Sequence, residues 1–235
     1  HPARRDRALG RPPGCPRGMS RRPGADVKGP PALRIALLGG LRVEADGAPV
    51  AGLEPPRLQQ LLAMLLLQRG RALPRSWLAG RLWPESSEAQ ARTNLRNLWH
   101  RLRQRLPGAE VWIDASDESL GWRAGGGALD VDVARFESAL AQAEHAGASA
   151  LGQDGLAQPG SDTTLRLAAL ERAIAAWGGE LLPACHGDWV ATERERLARL
   201  HARALQRRVE LLTAQGDLAR GEQEAPNMEV HEPKN

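Results

Sequence analysis

Apolar and polar positions alternate along this chain in rhythms that change from segment to segment. Between positions 33 and 50 the apolar runs are short, broken by Gly39-Gly40 and again by Asp46-Gly47, which predicts small antiparallel strands joined by tight turns. From 57 to 68, Leu58, Leu61, Leu62, Leu65 and Leu66 give a wide helical face, entered through Pro55-Pro56 and stopped by Gly70. A link, RALPR, leads to a short second helix over 76–83, ended by Pro84. The most regular stretch is AQARTNLRNLWHRLRQRL, 89–106, where Ala91, Leu95, Leu98, Leu102 and Leu106 fall in one stripe at helical spacing. Ser86 or Ser87 can cap this helix, with Glu88 in its first turn. Past Pro107-Gly108 the period shortens: Val111, Trp112 and Ile113, then Leu120 to Arg123, flank the turn sequence DASDES and predict a β-hairpin over 110–124.

Three short strands, three helices and a terminal hairpin describe a winged helix-turn-helix. In that arrangement the third helix enters the major groove of DNA and the hairpin lies beside the backbone. The helix over 87–106 carries chemistry to match. Opposite its apolar stripe lie Thr93, Asn97, His100 and Gln104, with Gln90 and Arg101 on their shoulders. Amides and guanidinium groups can make paired hydrogen bonds to base edges, so these six form the candidate base-reading face. Arg92, Arg96 and Arg103, with Arg123 on the returning strand of the hairpin, are the candidate phosphate contacts.

The second half of the chain returns to helical spacing. Val133, Phe136, Leu140 and Ala143 share one face over 132–146, and a loose linker covers 147–160. Leu167, Leu170, Ile174 and Trp177 then repeat the stripe over 164–177. A long helix is expected over 189–215, with Leu197, Leu200, Ala204 and Leu211 inward, Gly216 ending it and Asp217 able to begin another. Antiparallel helices of this kind suit a tetratricopeptide-like stack, although no strict 34-residue repeat is visible.

Charge divides the chain in the same place. Residues 1–32 carry a net +6, 33–124 a net +4, and 125–235 a net −6. The front can meet a polyanion, and the acidic back suits protein partners or self-association. Residues 1–31, rich in Pro, Gly and Arg, are expected to be a disordered basic arm in which Met19 is a candidate start. With seven Trp, one Phe and no Tyr, core filling falls to Leu, Ala and Trp.

The remaining chemistry points away from catalysis. The only cysteines, Cys15 and Cys185, indicate neither a disulfide framework nor a zinc site, and a reducing cytoplasm fits them. No Gly-x-x-x-x-Gly-Lys-Ser/Thr phosphate loop is present and no apolar run reaches membrane-spanning length. Asp130 and Asp132 precede a helix and read as caps, Cys185-His186 as a loop, and Gly125-Gly126-Gly127 as an interdomain hinge. No enzyme activity, cofactor or metal is expected.

The ordered string LRIALLGGLRV, then RLQQLLAMLLLQRGRALPRSWLAGRLWPESSEAQARTNLRNLWHRLRQRL, resembles the winged-helix domain of SARP-type transcriptional activators. LDVDVARFESAL and GDWVATERERLARLHARALQRRVELLTAQGDLA resemble the bacterial transcriptional activator domain that follows it in that family, so the resemblance covers roughly 33–222. It implies a mainly α fold with small β elements, a winged helix-turn-helix over 32–126 and a TPR-like antiparallel helical domain over 127–222. That second domain is shorter than the family's, and a polar tail follows over 223–235. The wing departs from the family, carrying SDESLGW where many members have a Gly-Pro-Gly-Tyr turn. The resemblance also implies double-stranded DNA as partner, homodimers on repeated sites, RNA polymerase contact, and a bacterial cytoplasmic, nucleoid-associated location without membrane attachment. Two alternatives stand beside it: the DNA-binding front end of a larger nucleotide-binding regulator, and a helical protein scaffold without DNA binding.

Overall fold

The computed structural model describes residues 30–123, 125–148 and 159–224. The expected arm, most of the 147–160 linker and the end of the polar tail lie outside the described residues. Strands β1 (Leu33–Ala36), β2 (Arg42–Ala45) and β3 (Ala48–Pro49) form the expected antiparallel meander. Helix α1 (Pro56–Leu67) follows, with every residue from Leu58 to Leu66 buried. A helix covered on all sides belongs at the centre of a fold, and α1 is that centre.

The RALPR link is a strand rather than a loop. β4 (Ala72–Pro74) pairs with β6 (Ser119–Trp122), which pairs in turn with β5 (Ile113–Ala115). Three residues with one inward side chain, Leu73, give too little local signal to be read as a strand, and only pairing with the distant hairpin makes them one. Helices α2 (Arg75–Leu82) and α3 (Glu88–Arg105) run close to their expected bounds.

The hairpin is shorter than its sequence suggests. Val111 and Trp112 belong to a one-turn helix, α4 (Ala109–Trp112), entered through Gly108 at φ +69°. Short apolar runs do not distinguish helix from strand by periodicity. Here the turn buries Trp112, whose ring stacks on Trp122 at a centroid distance of 5.9 Å.

The second half begins with β7 (Leu129–Val131), a strand absent from the sequence reading. It pairs in parallel with β1 and completes a sheet of order β3-β2-β1-β7. Helices α5 (Asp132–Ala148), α6 (Pro159–Ala176) and α7 (Asp188–Glu224) follow. α6 starts inside the expected linker, and α7 passes through Gly216 to Glu224 in place of the two helices expected. Glycine in a helix costs only about 1 kcal/mol relative to alanine, which a long helix absorbs.

One continuous core joins the two halves, running from Leu33 in β1 through α1 and α3 to Phe136 in α5 and Leu197 in α7. A smaller cluster of Ala143, Leu167, Ala169, Leu170, Ala204 and Leu211 fills the far end of the helical unit.

Polar groups stitch the junction. Asp132, at the start of α5, is buried and accepts from Leu37 N at 2.9 Å and Leu38 N at 2.8 Å, as well as from Val133 N at 2.7 Å. Its carboxylate therefore caps its own helix and also satisfies two backbone donors just beyond β1. Antiparallel to that stretch, Leu182 N donates to Leu37 O at 3.0 Å and Gly39 N to Glu180 O at 2.8 Å. Gly39 has φ +77°, and a Cβ there would lie 2.4 Å from Gly178 O, so only glycine allows this approach. The Gly126 and Gly127 backbone is also packed: a Cβ at either would meet the Trp112 ring at 3.1 or 3.0 Å.

The 181–187 loop sits against α1. Gln60 Nε2 donates to His186 O at 2.7 Å, and the buried Cys185 thiol lies 3.5 Å from Pro56 O. Burial pushes that thiol's pKa up, which keeps it protonated and unreactive. Arg194 secures the loop by donating from Nε to Leu181 O at 2.8 Å and from Nη2 to Cys185 O at 2.7 Å.

Candidate nucleic-acid interface

Helix α3 begins where Ser87 accepts from Gln90 N at 3.4 Å, and Glu88 in its first turn pairs with Arg92. Ala91, Leu95, Leu98 and Leu102 are buried in its length, and Leu106 is buried as the C-cap. Anchored on that stripe, the helix turns Gln90, Thr93, Asn97, His100, Arg101 and Gln104 outward, every one of them exposed. Arg92, Arg96, Arg103 and Arg123 are exposed as well.

Some of these side chains are engaged locally. Gln90 donates to Asn94 Oδ1 at 2.9 Å, Thr93 returns its hydroxyl to Ala89 O at 3.0 Å, and the Gln104 amide lies 3.0 Å from His100 Nε2. These contacts hold the side chains over the helix surface and leave each amide further bonding capacity. Asn97, Arg96, Arg101 and Arg103 have no hydrogen-bond or ion-pair partner among the described residues.

The structure separates the two groups of candidates in space. Arg92 and Arg96 line a cleft of about 630 Å³ between α3 and the wing turn. Arg103 and Arg123 line a second cleft, of about 670 Å³, along β5. None of the six candidate base readers lines either cleft. Arg123 is tied to the wing by a 3.4 Å ion pair with Asp114.

Sequence reasoning passed over Arg75 and Trp99, which line both clefts. Arg75 was part of the supposed link, and only β4–β6 pairing brings it to the wing, where its Nε donates to Ser116 O at 2.7 Å. Burial, together with the nearby Arg96, lowers the Arg75 pKa, opposed by Asp117. At physiological pH the guanidinium stays charged all the same. Trp99 sits on the shoulder of α3 beside the buried stripe, and a helical wheel read for polar groups passes over it.

The helical unit presents different chemistry. A groove of about 310 Å³ between its three helices has an apolar floor at Leu140, Leu170 and Leu200 and a rim that includes Arg166, Arg203 and Glu144. On the outer side of α7, Leu205, Val209 and Leu212 are exposed at positions that share one helix face. No helix among the described residues is long and apolar enough to cross a membrane.

Comparison with known proteins places this architecture. No family model matches the chain. It is 34% identical over 203 residues to Regulatory protein AfsR of Streptomyces coelicolor, a match covering 83% of this chain but only 18% of that protein. A solved structure of Mycobacterium tuberculosis EmbR in complex with a low-affinity phosphopeptide shares the fold, with a TM-score of 0.64 at 24% identity. That match covers 79% of this chain and 47% of the other. In sequence relationship and in fold the chain is of the SARP type, a winged helix joined to an antiparallel helical unit.

Proposed function

We propose that this chain is the DNA-binding part of a transcriptional regulator, with α3 as its reading helix. The observation that carries the reading is a polar face of α3 whose Asn97 and Arg101 have no partner within the described protein. That face is held rigidly by a buried apolar stripe and flanked by two arginine-lined clefts. Base-edge contacts fall to Gln90, Thr93, Asn97, His100, Arg101 and Gln104, and phosphate contacts to Arg92, Arg96, Arg103 and Arg123. The kinship with AfsR, a regulatory protein, supports the assignment. Because the match spans only 18% of AfsR, the same reading extends to the front end of a larger regulator.

The exposed Leu205, Val209 and Leu212 support a partner-binding role for the helical unit, either in homodimers or in contact with RNA polymerase, leading to activation.

Titrating the full chain with duplex DNA at increasing salt tests the reading. Each phosphate neutralised contributes about −0.9 to the log–log slope, so several arginines should give a slope of several units. Arg123→Ala should weaken binding to all sequences alike and shallow the slope by about one. A chain that ignores DNA at low salt would be the scaffold instead.

A further inference from the structure

The wing turn keeps its shape without using its own carboxylates. Ser116 Oγ accepts from Ser119 N at 3.0 Å, Arg75 N donates to Glu118 O at 2.8 Å, and Arg75 Nε holds Ser116 O. The side chains of Asp117 and Glu118 make no hydrogen bond or ion pair among the described residues. Both are exposed, and both line the cleft whose other wall carries Arg75, Arg92 and Arg96.

The rest of the wing has the same sign. From Glu110 to Arg123 there are four carboxylates against one basic residue, Arg123, which pairs with Asp114, so the element lying beside a DNA backbone in this architecture is itself acidic. A phosphate strand drawn to Arg92 and Arg96 must approach Asp117 and Glu118 across one cleft, and like charges within about 8 Å, the screening length at physiological salt, still repel. An arginine wall alone would grip any duplex. Faced by carboxylates, it grips weakly wherever the backbone is free to settle into the cleft.

Building on the DNA-binding reading above, we infer that Asp117 and Glu118 are specificity determinants. They oppose phosphates at the α3–wing cleft, and so penalise the loose, backbone-driven pose on arbitrary DNA more than the pose fixed by base contacts of α3. Like charges across an interface suppress wrong partners in the same way.

The test compares the full chain with its Asp117→Asn/Glu118→Gln variant on two duplexes, one of random sequence and one selected by the unaltered chain from a random pool. The variant should bind random DNA about tenfold more tightly and the selected duplex no more than about threefold, so its preference falls. Glu144→Gln/Glu195→Gln makes the same net-charge change in the helical unit and should leave the preference unchanged.

Equal gains on both duplexes, no gain on either, or an equal loss of preference in the Glu144/Glu195 variant would overturn the inference. Failure of the unaltered chain to bind either duplex would instead sink the DNA-binding reading itself. Circular dichroism keeps the comparison to folded proteins, and the backbone and Ser116 contacts of the turn survive both substitutions.

Discussion

The outward face of α3 and the seam between the two halves are both rich in polar groups, and the molecule treats them in opposite ways. At the seam the Asp132 carboxylate takes two backbone donors from beyond β1 and one from its own helix, Gln60 reaches His186 O, and Arg194 gathers loop carbonyls. On α3, Asn97 and Arg101 face outward with no partner within the described residues. A buried polar group must be satisfied internally or it destabilises the fold, whereas an exposed one on a rigid support remains available to another molecule. Substitutions at the seam should therefore register as stability, and substitutions on α3 as recognition.

The largest expected effect is at the seam. Gly39→Ala places a methyl against Gly178 O in a left-handed conformation, and should destabilise the fold by about 3 kcal/mol or more. A denaturant midpoint within error of the parent would show that the close approach is dispensable. Asp132→Ala strands Leu37 N and Leu38 N, and urea titration should register a loss of about 2 to 4 kcal/mol.

Asn97→Ala should invert the pattern. As an exposed surface change it should alter stability by no more than about 0.5 kcal/mol. On the best DNA site it should cost about 1 to 3 kcal/mol of binding and relax preference at one base position. Unchanged affinity and preference in a folded variant would remove α3 as the reader.

The smallest effect is pH-dependent. His201 stacks on Trp177 at 4.4 Å, and burial lowers its pKa below the ordinary histidine value. The unfolded chain then takes up this proton first, so the contribution is full above the ordinary histidine range and is lost as pH falls through it. Thermal melts at about pH 7 and about pH 5 should show a small acid destabilisation that His201→Gln reduces, against the background of other titrating groups.

What could be read from the sequence follows from the range of the forces involved. The α3 stripe, its Ser87 cap and the Leu-rich α1 rest on residues three or four apart, and such signals survive without knowledge of the rest of the fold. β4 and β7 are three residues each and exist because distant strands pair with them. The role of Gly39 depends on Gly178, far along the chain, and Arg75 reaches the wing only once β4 is in place. Gly216 signalled a helix end, yet its residues simply continue α7, since local propensity yields to the surrounding helix. For the interface, the outward residues of α3 were legible from the wheel, whereas the clefts needed the folded wing.

The parallel pairing of β7 with β1 bears on how much of the chain must stay together if α3 and the wing are moved into another protein. A segment ending at residue 126 would leave behind the strand that covers one edge of β1, the carboxylate that satisfies Leu37 and Leu38, and the 180–182 stretch that pairs beside them. The bared edge would offer unpaired donors and acceptors to any neighbouring chain and invite self-association. The unit that must travel together is accordingly larger than α3 and the wing: a graft that keeps α3 in register must carry the chain through Arg194, so the proposed reading helix depends on the helical half for its support.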